Sequence, residues 1–535
     1  DSRKMYKYLQ LESFQEEEFG NVFDKIRSAS PPTKVHAVRI VDEYDETSVR
    51  NIDLDNMQDF LMQRIQLLER DNGLPSMYDE PTTDKLRRQY AKEEAARLFE
   101  RLLDHATTES IDKQHFIAAL HKQASSVDVK RTLPITISML LVGSSVGIIT
   151  PVMPFVVEKL SLTPGQFGMV VSAFAAAKML GNVPSAVLVE RHGRKPYLVY
   201  SLSVIAFGVG GIGLATQFEH LWICRLLTGA GVAALSTAAT LSIADISTPL
   251  NRASTMAPIM SAFAAGTALG PALGGYLADT IGINPTFYLV GVSYLGLTAV
   301  NHFLLTETKA AIMTFPWQEK TTKSKDEKSV KDSVRDAVGQ WAPLMSDARV
   351  RNVVIMNGFY WTALAGSQMT LLPLMLTDTT GLAMTATGVG QVYMGMSAIQ
   401  VFGNPILAKV VDKIGKGPAI VVGSTMISLS MGLLPLCTDM YQLAGTLGVW
   451  ATGSTMLSTA PVAYVSDTVD DGKRAQAIAL LRTGGDVGFL IGAAGMGVLA
   501  DWTGMDGAMQ TSAGVLLTAT GWFATRQLLN AKAKQ

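Results

Sequence analysis

The sequence predicts an all-α membrane protein with twelve transmembrane helices in two six-helix bundles, preceded by a mostly helical polar segment. Three observations predict it. Stretches nearly free of charge and long enough to cross a bilayer recur from residue 132 to residue 525. The chain also repeats itself without a gap at an offset of 222 residues (412 − 190 = 222). Glu190-Arg191-His192-Gly193 meets Asp412-Lys413-Ile414-Gly415, Pro151 meets Pro373, Gly181-Asn182 meets Gly403-Asn404, Asp245 meets Asp467, Arg252 meets Arg474, and Asp279 meets Asp501. Finally, basic residues gather in alternate connections. The expected division is a polar segment (1–131), a first bundle (132–307), a polar linker (308–349), and a second bundle with a short tail (350–535).

The amino-terminal segment is charged, with helical patterning over 57–69 and 83–103 and a break at Ser30-Pro31-Pro32. Its stretch 104–116 faintly resembles half of an EF-hand, with Asp104, Ile111 and Phe116 at places where such a loop wants acid, apolar and apolar residues. Calcium chemistry is missing. Glu109 stands where the sharp turn needs Gly, and His115 stands where a bidentate Glu would close the shell. A helical hairpin or a partner-docking segment is the reading for 1–131.

The first span, 132–157, holds no charged side chain, and about 20 helical residues cross a hydrocarbon core. Spans at 164–189, 197–217, 221–244, 253–278 and 286–306 complete the first repeat. The second returns them at 352–377, 384–408, 418–438, 440–466, 475–500 and 507–525. Connections after even-numbered spans carry Arg191, Arg194, Lys195, Arg252, Lys409, Lys413, Lys416, Lys473 and Arg474. Those after odd-numbered spans carry Glu219, Asp279, Asp378, Asp439 and Asp501, with Lys159 as the one base. The positive-inside rule then expects both termini on the cytoplasmic, matrix or stromal side. Parallel helical repeats of this kind are the architecture of rocking secondary transporters.

Whole-chain averages hide the membrane part. The net charge is −1 and the mean hydropathy +0.23, because the polar segment and linker dilute the spans. Cys224 and Cys437 fall in or beside apolar spans, so neither a disulfide framework nor a metal cluster is expected. The acid-rich start does not read as an Arg/Ser-rich transit peptide. Gly208, Gly210 and Gly213 spell G-x-G-x-x-G, but inside an apolar span without a preceding strand, so no dinucleotide site follows. A Walker loop is also lacking; no cofactor, no nucleic acid and no enzymatic activity are expected.

Four motifs carry a family resemblance. Ala186-Val-Leu-Val-Glu190-Arg191-His-Gly193-Arg194-Lys195 resembles the loop signature of the major facilitator superfamily, G-x-L-A-D-R-x-G-R-K, with Ala186 in place of Gly. Asp412, Lys413, Gly415 and Lys416 echo it. The resemblance implies that Glu190 and Arg194, with Asp245 and Arg252, latch the cytoplasmic side in the outward-facing state, with Asp412, Lys416, Asp467 and Arg474 as the second copy. In the fifth span, Gly266-Thr-Ala-Leu-Gly270-Pro271-Ala-Leu-Gly274-Gly275 matches G-x-x-x-G-P-x-x-G-G of the antiporter branch at every fixed position. Glycines four apart share one helix face and admit a neighbouring backbone, while Pro271 bends the helix. Gly488, Gly492 and Gly497 repeat the pattern loosely. Arg225-Leu-Leu-Thr-Gly229-Ala-Gly231 resembles R-x-x-x-G-x-G, which implies proton coupling at Arg225, although an arginine snorkelling to the interface has the same appearance. Pro151 and Pro154 resemble the first span of tetracycline-type exporters, whose acid is Val142 here.

Ionisable residues deep in a span cost about 2.5–3.5 kcal/mol each on insertion scales, so they mark function. Three stand far from a span end: Lys178, Arg482 and Asp486. The family resemblance implies that the second and eleventh spans pack together across the bundle interface, so that Lys178 approaches Asp486 in one state, while Arg482 and Asp486 lie four apart on one helix and can neutralise each other. Phe174, Phe359, Tyr360, Trp361, Tyr393 and Trp450 are expected to line a solute cavity, or to face lipid. The resemblance implies a transporter of a small organic solute, with protons as the coupled ion and a protein partner for 1–131. The alternatives are an organic-anion carrier without proton antiport and a non-transporting assembly subunit.

Overall fold

A computed structural model describes residues 2–12, 14–29, 51–72, 76–103, 111–309, 315–318, 339, 341–378 and 381–532. The Ser30-Pro31-Pro32 break, Asp104 and Glu109 lie outside them. Helices dominate, and the chain divides into two compact units. One comprises 1–132, 241–257 and 308–327, and the other 133–240, 258–307 and 328–535.

The first unit is built on α1 (Ser2–Leu9), α2 (Glu16–Arg27), α3 (Leu54–Asn72), α4 (Glu80–Leu103) and α5 (Lys113–Ser125). Both sequence-predicted helices are present, each longer than its apolar pattern. Ile52 and Ile111 pair in a short antiparallel bridge, with each N–H donating to the other's carbonyl at 2.9 and 2.8 Å. Each is followed by an aspartate that starts a helix, Asp53 accepting from the Asn56 N–H and Asp112 from the His115 N–H, both at 2.8 Å. That backbone bond, the largest of several causes, holds the Asp112 carboxyl below its usual range. His115 Nδ1 lies 2.9 Å from the same carboxylate, so the position that would close a calcium shell is engaged in capping.

The unit's core is completed from distant parts of the chain. Phe315 and Trp317, from the expected linker, are buried among Met57, Leu61, Phe99 and Phe116. Their rings stack at 5.2 Å, and Tyr90 meets both edge-on. The Trp317 indole N–H donates to Glu69, and its carbonyl accepts from the Met77 N–H at 2.7 Å. In 241–257, Thr248 Oγ1 donates to the Ala124 carbonyl at 2.6 Å and Asn251 Nδ2 to the Ser126 carbonyl at 2.5 Å. The amino-terminal segment, whose piece of the unit ends at Thr132, thus folds together with pieces of the linker and of the fourth-to-fifth connection.

The second unit carries the repeat apart from residues 129–132 and 241–257, which belong to the first unit. α6 (Val129–Lys159), α7 (Pro164–His192), α8 (Lys195–Ile212), α9 (Phe218–Ile246), α10 (Arg252–Ile281) and α11 (Ile283–Leu304) follow the first six expected spans. After a short α12 (Trp341–Ser346), α13 (Ala348–Ala363), a π-helical stretch (Leu364–Leu371) and α14 (Leu372–Thr377) stand where one span was expected. α15 (Ala386–Ile414), α16 (Lys416–Leu433), α17 (Met440–Thr468) and α18 (Asp471–Lys532) complete it, with α18 broken at Gly504 (φ 77°). Among the described residues, eight helical stretches are long and apolar enough to cross a membrane.

The backbone repeats what the sequence repeats. Outside the first unit, the described residues with positive φ fall into three pairs 222 apart: Ser161 (54°) with Ala383 (46°), Gly193 (100°) with Gly415 (90°), and Gly282 (95°) with Gly504 (77°). Glycine bears the left-handed conformation without the Cβ penalty, which explains four of the six. Within the first repeat, buried hydrogen bonds tie α6 to α11: Ser145 Oγ lies 2.6 Å from Tyr294 Oη, and Asn301 Nδ2 donates to Ser138 Oγ at 2.8 Å.

Candidate transport site

The antiporter-type glycines serve two neighbours at once. A Cβ on Gly266 or Gly270 would overlap a backbone carbonyl of α6, that of Leu140 or Ser144, and a Cβ on Gly274 would lie 2.6 Å from Ile148 Cα. Gly275 is directed elsewhere, at the Ala386 carbonyl of α15, and the Pro271 carbonyl meets Gly390 of the same helix. In α18 the looser copy follows suit, with Gly488 and Gly492 against the Gly358 and Thr362 carbonyls of α13 and Gly497 against that of Pro164 on α7.

The loop motif is held by a residue outside it. Glu307, just past α11, accepts from the backbone N–H groups of Arg194 (2.8 Å) and Lys195 (3.0 Å), the unsatisfied donors at the start of α8. Gly193 approaches the same carboxylate so closely that a Cβ would overlap it. In the sequence its one signal is an acid at the end of the sixth span, just before the polar linker. Glu307→Gln is expected to weaken this cap by about 0.5–1 kcal/mol, read as faster hydrogen exchange at the Arg194 and Lys195 amides. In the second copy, Lys416 pairs with Asp467 and Arg474 Nε donates to the Ser466 carbonyl at 3.2 Å. Glu190, Arg191 and Arg194 belong to the second unit, as do Asp412 and Lys413. Asp245 and Arg252 belong to the first unit, where the Asp245 carboxylate accepts from Thr308 Oγ1 at 3.3 Å and lines a 460 Å³ cavity with Tyr6, Arg64 and Ser247.

Among the three deep charges, Lys178 Nζ lies 3.5 Å from Asp486 Oδ1, so α7 of one repeat is tied to α18 of the other. Both side chains keep solvent access, at 36% and 23%. Arg482 is exposed and makes no ion pair with Asp486, which corrects the expectation that the two neutralise each other along the helix. One turn before Lys178, Phe174 lies under the Arg225 guanidinium, 5.4 Å from it, and Arg225 Nε is buried without a hydrogen-bond partner.

The aromatic expectation needs correction. Tyr360, Tyr393 and Trp450 are packed in the second repeat's core, with the Tyr393 hydroxyl donating to the Gln368 carbonyl in the π stretch. Phe359 and Trp361 keep exposed surface, and Trp361 packs 6.2 Å from Phe489, one turn from Asp486. The π stretch itself, which opens one hydrogen-bond turn of the ladder, has no counterpart in the apolar pattern. Among the described residues, no cluster of His, Cys, Asp and Glu could hold a metal ion.

The sequence profile of the Major Facilitator Superfamily matches residues 135–388 and 362–534. The chain belongs to this superfamily. It is 26% identical over 381 residues to an uncharacterized MFS-type transporter of Methanocaldococcus jannaschii, covering 69% of this chain and 90% of that protein. Multidrug resistance protein 2 of Bacillus subtilis is 29% identical over 163 residues, covering 30% of this chain and 40% of the relative. The fold is similar to that of a bacterial homolog of the human lysosomal transporter Spinster in an inward-facing, unoccupied conformation, with a TM-score of 0.60 and 15% identity, covering 75% and 96% of the two chains. Membership makes this a multi-pass membrane transporter and not an enzyme.

Proposed function

We propose that this superfamily member is a proton-coupled antiporter of a small organic solute, working by alternating access between two six-helix bundles of twelve spans. The basic even-numbered connections support placing them, and both termini, on the cytoplasmic side or its organellar equivalent. The carrying observation is the Lys178–Asp486 pair, which joins the repeats at mid-depth and remains open to solvent. As a carboxylate, Asp486 holds Lys178 and ties α7 to α18; protonated, it releases the ammonium and the tie. Because the tie exists only with the carboxylate, making and breaking it couples movement of α7 against α18 to proton binding. Trp361 and Phe489, one turn away, supply an apolar wall for a ring-bearing solute. The multidrug relatives support this solute class.

Asp486→Asn in proteoliposomes tests the reading. It is expected to abolish uptake driven by a pH gradient while leaving counterflow at equal pH partly intact. Undiminished gradient-driven uptake would remove Asp486 from coupling. Counterflow that ignores a pH gradient in the unsubstituted protein would favour a carrier or facilitator of an organic anion met by Lys178, Arg225 and Arg482.

A further inference from the structure

At the end of the second unit that carries the odd-numbered connections, one arrangement occurs twice. Asp279, in the last turn of α10, accepts through Oδ2 from the Thr387 backbone N–H at 2.9 Å, in the first turn of α15. Its repeat mate Asp501, in α18, accepts through Oδ1 from the Gly165 N–H at 3.0 Å and through Oδ2 from the Thr163 hydroxyl at 3.1 Å, at the start of α7. Gly165 and Thr387 are themselves 222 residues apart, as are the N-caps Thr163 and Thr385, which accept from Gln166 and Gly388. Each carboxylate therefore rests on a helix N-terminus of the other repeat.

The backbones behind these caps touch in the same paired way. Gly275 meets the Ala386 carbonyl and its mate Gly497 that of Pro164; Gly390 meets the Pro271 carbonyl and its mate Gly168 that of Ala493. In the other halves of these helices glycines face their own repeat, Gly181 towards Ala233, Gly266 towards Leu140 and Gly488 towards Gly358. Among the described residues, close cross-repeat glycine packing is thus confined to the odd-connection end.

An N-terminus presents unsatisfied N–H groups and a partial positive charge, and a carboxylate satisfies both. Had donor and acceptor belonged to one rigid body, the contact would be a plain helix cap. Here they belong to repeats that a rocking motion separates, so the contact is available in one state and absent in the other. Both aspartates are exposed, so each contact is weak enough to release in water.

We propose that Asp279 and Asp501 are a symmetric pair of state-selective latches that hold the odd-connection end shut and are released when it opens. The proposal rests on the two-bundle rocking reading. Neither residue belongs to the loop motif, the glycine motif or the Arg225 motif, and the latches act at the opposite end from the basic loop motif.

The test uses the full chain in lipid nanodiscs with Cys224 and Cys437 replaced by serine. Spin labels at Thr280→Cys and Gly381→Cys report the odd-connection end, and labels at His192→Cys and Lys473→Cys report the other end. Asp279→Asn and Asp501→Asn, which keep shape and an acceptor oxygen, should each move the open-to-closed ratio about threefold to fivefold towards open at the odd-connection end. The double variant should move it about tenfold or more, with the other end closing in step. An unchanged distance distribution in the folded double variant would overturn the proposal and reduce both residues to ordinary caps. Should the double variant not fold, the single variants are read by the same criterion. Shifted distances in a protein that carries no solute would sustain the latches and defeat the transport reading; solute flux with unshifted distances would do the reverse.

Discussion

Gly270→Leu is expected to yield no folded, transporting protein. The Cβ alone would overlap the Ser144 carbonyl and lie 2.8 Å from Gly147 Cα, and both obstacles are backbone. A flexible side chain could turn aside; two helix backbones can relax only by moving α6 away from α10. Gly143 and Gly147 on α6 press against Phe263 and Gly270 in return, so separating the helices would forfeit contacts along several turns. Overpacking ordinarily costs about 1–3 kcal/mol, and this site, closed by backbone, should cost about 3 kcal/mol or more. Thermal unfolding and size-exclusion profiles in detergent measure it. Gly296→Leu on α11 is the control, because a Cβ there meets nothing within 4 Å, and its effect should stay within about 0.5 kcal/mol. Equal behaviour of the two variants would refute the packing argument for the glycine motif.

Trp317→Ala should unfold α3, α4 and α5 of the first unit while leaving the second unit intact. The indole is 1% exposed, stacks on Phe315, meets Tyr90 edge-on and donates to Glu69. Truncating a buried Trp costs about 3–5 kcal/mol, and the lost indole N–H leaves Glu69 without that donor. A small helical unit has little stability to lose, about 5–15 kcal/mol for a typical domain. Hydrogen exchange should therefore rise sharply across α3, α4 and α5, with α16 and α17 of the second unit as the internal reference. Unchanged exchange in α3–α5 would mean that the linker aromatics decorate this core without supporting it.

Much of the fold is legible in the sequence because membrane helices are local objects. An uncharged run of some 20 residues declares a span by itself, and an exact offset of 222 residues declares a second copy. Left-handed glycines such as Gly193 and Gly415 are equally legible, being demanded by a turn of a few residues. The π stretch at Leu364–Leu371 was not, since a widened turn leaves the apolar run uninterrupted. Glu307 is legible only as an acid closing the sixth span, because its partners lie more than a hundred residues away and are backbone N–H groups, which no residue type announces.

The same division runs through the site. Sequence by itself determined the superfamily motifs, the alternation of charge between connections, and the three ionisable residues deep in spans, because each is a property of residue type and spacing along one helix. Tertiary structure alone decided between Arg482 and Lys178 as the partner of Asp486. It also decided that Tyr360, Tyr393 and Trp450 are core, and that Phe315 and Trp317 complete the amino-terminal unit. It set Asp279 and Asp501 on the opposite repeat. The physical reason is that helical periodicity specifies which residues share a face, whereas the neighbour that each face meets is chosen by packing among segments distant in the chain.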